Sequence, residues 1–306
     1  MGNLKEKIDS VFNLELSAKR IVEGTISGLH KSPFHGFSTE FLERRPYNNG
    51  ESTRFLDWKY FAKTDKKYIK KYEEETNLRC HIILDVSSSM YYPQPLSAEL
   101  EESKIGYATL LSASLMQIMN KQRDAIGLSM FSDEIEFYSK EKTSRTHFKT
   151  LLGELEYNLL KDSKLEKTKL YNSLHNLADR FHKRSLIVII SDFIDSNKNE
   201  EELFEALKHL SFRKHEIILF HVVDKATEID LDFDNNYHRF IDLESNKEIV
   251  LDNLDMRKEY ELMTSNHAKM LRFKALQYKM DYKLLDIKLG FKDAIINYLT
   301  QRKKIF

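Results

Sequence analysis

An α/β fold with a doubly wound, mostly parallel sheet flanked by helices follows from three features of the sequence. The run "SLIVIISDF", Ser185 to Phe193, is continuously apolar over the length of a strand, which suits a strand covered on both faces. "CHIILD" and "EIILFHVVD" repeat that character on either side of it. The stretches between these strands carry apolar residues at helical spacing, so strand and helix alternate as they do in right-handed crossover units.

The elements follow in order. The first 76 residues open with a helix-like stretch and then become irregular and aromatic, so they are expected to form an N-terminal extension (1–76) packed on a core domain (77–306). "CHIILD" begins the core as a buried strand. A helix is expected over Ser97 to Lys121, with Ala108, Leu111, Leu115 and Ile118 on one face. "AIGLSMFSD" and "EIEFYS" read as a strand pair. Two helical stretches follow, the second striped by Leu170, Leu174, Leu177 and Phe181. After "SLIVIISDF" come a helix over Glu200 to Leu210, the strand "EIILFHVVD", and a hairpin in "RFIDLESNKEIVLD". From Asn253 onward the sequence reads as helical, and Met256, Tyr260, Met263 and Met270 are expected to serve packing.

Composition narrows the function classes. Lys plus Arg and Asp plus Glu both number 48, so the net charge is zero and does not suggest a dispersed polyanion as partner. A local excess of five positive charges lies over Phe41 to Tyr72, interleaved with aromatics, and reads as a solvated or partner-facing surface rather than a nucleic-acid site. The single Cys80 cannot form an internal disulfide, and no apolar run has the roughly 18 residues of a membrane span. A cytoplasmic protein is expected.

Chemistry concentrates where strands end. Ligands of doubly wound folds bind at the carboxyl ends of strands, and two strands here end in aspartate, Asp85 and Asp192. "DVSSS" has the spacing Asp-x-Ser-x-Ser, so Asp85, Ser87 and Ser89 can converge on one side of a tight turn. Thr168 precedes the Leu170 stripe and offers another hydroxyl. One or two carboxylates with neutral hydroxyls suit a hard cation, Mg²⁺ or Mn²⁺, better than they suit acid–base catalysis. The duller reading is that the serines and Asp192 cap helices. His81, His175, His182 and His221 are scattered and read as structural or surface residues.

This constellation resembles the metal-ion-dependent adhesion site of von Willebrand factor A domains, a Rossmann-like fold. A wider pattern resembles the bacterial family called domain of unknown function 58. It falls on Gly36, Ser38, Glu40, Phe41, Arg45, Tyr47, Gly50, Glu51, Arg54, Asp57, Trp58, Tyr68, Lys70, Tyr72 and Glu75. The resemblance implies a metal set of Asp85, Ser87, Ser89, Thr168 and Asp192. Thr168 departs from the family pattern, because Glu166-Lys167 precede it where a glycine is usual. Family members accompany MoxR-type AAA+ ATPases, so the resemblance also implies an adaptor that is not an enzyme and that binds an acidic residue of its partner. The Arg54, Asp57 and Trp58 element is expected to fasten the extension to the core. The alternative is a metal-dependent phosphohydrolase or nuclease using Asp85 and Asp192. Against it, a haloacid-dehalogenase-type site needs a second acid where Ser87 stands, and the chain has no Gly-x-Ser-x-Gly, His-Glu-x-x-His or phosphate-binding glycine loop.

Overall fold

The computed structural model describes residues 14–26, 41–48, 56–72, 78–93, 102–161, 170–182, 184–194, 200–213, 215–230, 238–241, 248–251 and 254–289. The chain divides into two compact units, one of residues 1–33 with 79–306 and one of residues 34–78.

The larger unit is built on a six-stranded sheet. In chain order its elements are α1 (Leu14–Ile26), β3 (Arg79–Asp85), α3 (Lys104–Gln122), β4 (Ala125–Phe131), β5 (Ile135–Lys142), α4 (Arg145–Leu160), α5 (Leu170–Ala178) and β6 (Leu186–Ser191). There follow α6 (Glu200–Phe212), β7 (Glu216–Val223), the hairpin β8 (His238–Ile241) and β9 (Glu248–Leu251), α7 (Leu254–Gln277) and β10 (Asp281–Asp286). The smaller unit holds β1 (Phe41–Pro46), α2 (Trp58–Thr64) and β2 (Tyr68–Tyr72).

The sheet order is β10-β7-β6-β3-β4-β5. All neighbours run parallel except β4 and β5. Every residue of β4 and β6 is buried, as are the last six of β3, which is the burial expected of central parallel strands. β5 mixes exposed and half-buried residues and closes one edge with charged side chains, a common defence against edge-to-edge pairing. The doubly wound sheet expected from the sequence is therefore present.

Helix α3 lies deepest. Every residue from Lys104 to Met119 is buried, so it is a core helix rather than an amphipathic surface one. It starts at Lys104, later than the expected Ser97, with Ser103 Oγ accepting the Gly106 N–H at 3.2 Å as its cap. Helix α1 buries Leu14, Ala18, Ile21 and Val22, a stripe at helical spacing, and packs against α3 and α4. The opening helix thus belongs with the sheet, and the boundary expected near residue 76 has a companion near residue 33.

A buried polar chain crosses three strands of the sheet. His81 of β3 meets Ser129 Oγ of β4 through Nε2 at 2.7 Å and Glu141 Oε1 of β5 through Nδ1 at 2.7 Å. The ring stacks on Tyr138 and touches Phe181. A Cβ on Gly127 would come within 2.5 Å of His81 Nδ1, so the strand needs glycine there.

Two expectations for the C-terminal part are corrected. The helix stops at Gln277 and a strand follows: Lys279 takes a left-handed φ of 58°, and "DYKLLD" pairs with β7 in parallel. Met263 and Met270 are exposed rather than packed, and the buried positions among the described side chains of α7 are Leu271 and Ala275. The side chains of Met256 and Tyr260 lie outside the described residues.

In the smaller unit β1 and β2 pair antiparallel. Asp57 is buried and its carboxylate accepts the Tyr60 N–H at 3.1 Å, capping α2. Trp58 is 60% exposed, and its ring meets the edge of Phe61 with centroids 6.3 Å apart. Arg54 lies outside the described residues.

Candidate functional site

The winding of the sheet decides where a ligand can sit. From β3 the chain crosses to β4 on one side and later returns to β6 on the other. The strand order therefore reverses between β3 and β6, and the crevice beyond their carboxyl ends is the usual ligand position of such sheets. β3 pairs with β6 in register from Cys80 with Leu186 to Leu84 with Ile190. Asp85 and Asp192 consequently emerge side by side at the same end.

Four of the five expected residues are linked there by hydrogen bonds. Asp85 Oδ1 accepts the Ser87 N–H at 2.9 Å, and Asp85 Oδ2 accepts the Ser191 hydroxyl at 2.6 Å. The Ser87 and Ser89 hydroxyls are 3.1 Å apart, and the Ser89 side chain reaches Asp192. Asp85, Ser87 and Asp192 are all 0% exposed. Thr168 lies outside the described residues. Capping does not explain Ser87, which heads a short 3₁₀ turn, Ser88–Tyr91, without a side-chain cap bond. The N-cap of α3 is Ser103 instead.

Asp192 is held by its own turn. Its Oδ1 accepts the Ile194 N–H at 3.1 Å, and Ser191 Oγ accepts the Phe193 N–H at 2.8 Å. Phe193 between them has a φ of 54°, a left-handed conformation that costs a non-glycine residue roughly 1 kcal/mol. Its ring is buried, and that packing holds the turn in place.

Three functional neighbours were not expected. Lys104, at the start of α3, is fully buried and donates to Asp192 Oδ2 at 2.8 Å and to Glu228 Oε1 at 2.5 Å. Glu228 Oε2 accepts the Asp224 N–H at 2.8 Å. Ser191 is the third. A lysine opening an otherwise apolar helix was a visible signal for Lys104; Glu228 and Ser191 had none.

The two aspartates differ electrostatically. Burial, and then the charge of Asp192, push the Asp85 carboxyl up to about 7. Burial raises Asp192 as well, but the ammonium of Lys104 outweighs it and holds this carboxyl below its ordinary value. Lys104 itself is raised, because its two carboxylate partners overcome the cost of burial. Asp192 has a cation beside it, whereas the hydrogen-bond partners of Asp85 among the described residues are neutral donors.

Carboxylates with hydroxyls form a hard-oxygen donor set, which fits Mg²⁺ or Mn²⁺ and not a soft metal. Among the described residues no group of three or more His, Cys, Asp or Glu is placed to hold a metal ion, so such a site depends on its hydroxyls. Among the described residues no helix is long and apolar enough to cross a membrane.

Comparison with known proteins gives the following. Among solved structures, the chain is similar to the conserved hypothetical protein BatB from Bacteroides thetaiotaomicron at 16% identity, with a TM-score of 0.43, covering 74% of this chain and 100% of that one. An aerotolerance-related membrane protein from Bacteroides fragilis matches at 18% identity and a TM-score of 0.45, covering 75% and 100%. The SpRpn10 VWA domain matches at 10% identity and a TM-score of 0.38, covering 72% and 94%. The uncharacterized protein Rv1480 of Mycobacterium tuberculosis is 22% identical over 211 residues, 69% of this chain; the chain spans 63% of that relative's length. The family described as protein of unknown function DUF58 matches residues 43–270, most of the sheet unit and part of the smaller one. The chain belongs to the DUF58 family.

Proposed function

We propose that the chain is a metal-dependent protein-binding module whose Asp85–Ser87–Ser89 turn, with Asp192, holds one Mg²⁺ or Mn²⁺. The observation that carries the reading is the pair of fully buried carboxylates at the switch point, of which, among the described residues, only Asp192 has a cation beside it. A buried carboxylate is stable when ionised only if it is paired or coordinates a metal. A divalent ion would supply the missing charge for Asp85, and the hydroxyls of Ser87 and Ser89 would complete the hard-oxygen set. Thr168 belongs to the proposed set on the family pattern.

The ion would supply Lewis acidity towards an outside oxygen. Neutral hydroxyls donate little electron density, so the ion stays electrophilic towards a carboxylate presented by a partner protein. Within the family the first partner to test is a MoxR-type AAA+ ATPase. The role is that of an adaptor and not of an enzyme. The half-exposed Ser89 and the 46%-exposed Ile194 mark the side from which a partner approaches.

The test is calorimetric titration of Mg²⁺ and Mn²⁺ into the wild type and Asp85→Ala, paired with capture of the ATPase with and without EDTA. Binding is expected only in the wild type, and EDTA should release the partner until Mg²⁺ is restored. Equal metal affinity in the two proteins would overturn the metal site, and capture indifferent to EDTA and to Asp85→Ala would overturn the recognition mode.

A further inference from the structure

Lys104 is an unusual residue to bury at the first position of a core helix. Its side chain is 0% exposed, and its ammonium lies between two carboxylates on different elements, Asp192 after β6 and Glu228 in the turn after β7. The Tyr92 ring lies 5.9 Å from the nitrogen. The nearby Asp224 is matched by Lys288 at 3.9 Å and leaves the balance unchanged. Among the described residues, Asp85, Asp192 and Glu228 bring three negative charges when ionised, against which Lys104 sets one positive charge. The remainder equals the charge of one divalent cation.

We propose that Lys104 is a built-in counter-cation that sets how tightly the Asp85 site holds its divalent ion. The inference rests on the metal reading above and adds a residue that touches Asp192 without donating an oxygen. A fixed positive charge beside a ligand carboxylate repels the incoming ion, and in a dry site that repulsion is poorly screened. Glu228 acts in the opposite sense: it adds negative charge to the site while holding the ammonium in place. Lys104 is therefore a positioning residue whose charge tunes the site towards exchangeable binding.

The two single substitutions separate this from a merely structural bridge. Lys104→Met removes the Lys104–Glu228 hydrogen bond and Glu228→Gln weakens it to one with a neutral acceptor, so a structural role moves metal affinity in the same direction in both. A charge-setting role moves them apart: by Coulomb reasoning Lys104→Met should bind Mg²⁺ ~10-fold tighter and Glu228→Gln ~10-fold weaker. The double variant keeps the net charge and should fall within ~3-fold of the wild type. Calorimetric titration of Mg²⁺ reads all four proteins, with circular dichroism as the check on folding. Shifts in the same direction for the two single variants would overturn the inference while leaving the metal site standing. If Lys104→Met does not fold, the double variant carries the test, and loss of binding there overturns the inference. Mg²⁺ binding by Lys104→Met but not by the wild type would refute the metal reading of the native chain, and the inference with it. Absence of binding in all four would refute both.

Discussion

Replacing Asp85 by asparagine should stabilise the metal-free protein, although the residue sits in the centre of the candidate site. The carboxyl is fully buried and its pKa stands at about 7, against an ordinary value of 3.8. An acid whose folded pKa lies above its unfolded one keeps its proton longer when folded. Stability is then greatest at low pH, falls as pH rises from 3.8 towards 7, and carries the full penalty above that. At pH 8 the penalty is about 4 kcal/mol, since each pH unit between the two values is worth about 1.4 kcal/mol. Asparagine cannot ionise and keeps an oxygen for the Ser87 N–H, while the Ser191 hydroxyl must turn to accept from the new amide. Allowing for that rearrangement, the net gain should be about 2–4 kcal/mol at pH 8 and should vanish towards pH 4. Differential scanning calorimetry in EDTA reads it as a rise in Tm of roughly 4–8 °C for a chain of this size. Adding Mg²⁺ should raise the Tm of the wild type and leave Asp85→Asn unmoved. A lower Tm for Asp85→Asn in EDTA at pH 8 would show that the ionised carboxylate is stabilising as it stands, and the argument for a missing cation would fail.

Other outcomes follow from the same structure. Ser87→Ala removes a hydroxyl with no capping bond, so urea denaturation should show a loss of no more than about 1 kcal/mol while metal affinity falls clearly; the reverse ordering would mark the serine as structural. Trp58→Ala should cost less than about 1 kcal/mol, because the ring is 60% exposed, and a loss near the 3–5 kcal/mol of a buried aromatic would contradict that exposure. Burial lowers the pKa of His81 despite the neighbouring Glu141, so the folded protein keeps this imidazole neutral. Its contribution is present above the ordinary value of 6.5 and is lost as pH falls below it, and His81→Gln should flatten this part of the stability profile; an unchanged profile would count against the assignment.

The sheet was legible because its central strands are buried on both faces, and continuous runs such as "LIVIIS" have few other uses. β10 was missed because "DYKLLD" is neither continuously apolar nor cleanly alternating, and its strand state depends on β7 as a neighbour. Asp85, Ser87 and Ser89 were legible from spacing at a strand end. The signal at Lys104 is weak on its own, because an isolated lysine at a helix start is ordinarily solvated, whereas the fold encloses this one. Glu228 lies 124 residues from Lys104 in sequence, beyond any local pattern.

Helix α1 has a consequence for synthesis of the chain. Its stripe of Leu14, Ala18, Ile21 and Val22 is translated well before α3, the helix that covers it. At about 5–20 residues per second, roughly 5–20 s separate completion of α1 from completion of α3. Residues 34–78 emerge in that interval as a compact unit of their own. Helix α1 therefore waits, bare on one side, for a surface not yet made. A nascent chain halted before residue 104 should be held by chaperones that bind apolar stripes, whereas one that has passed α3 should escape them.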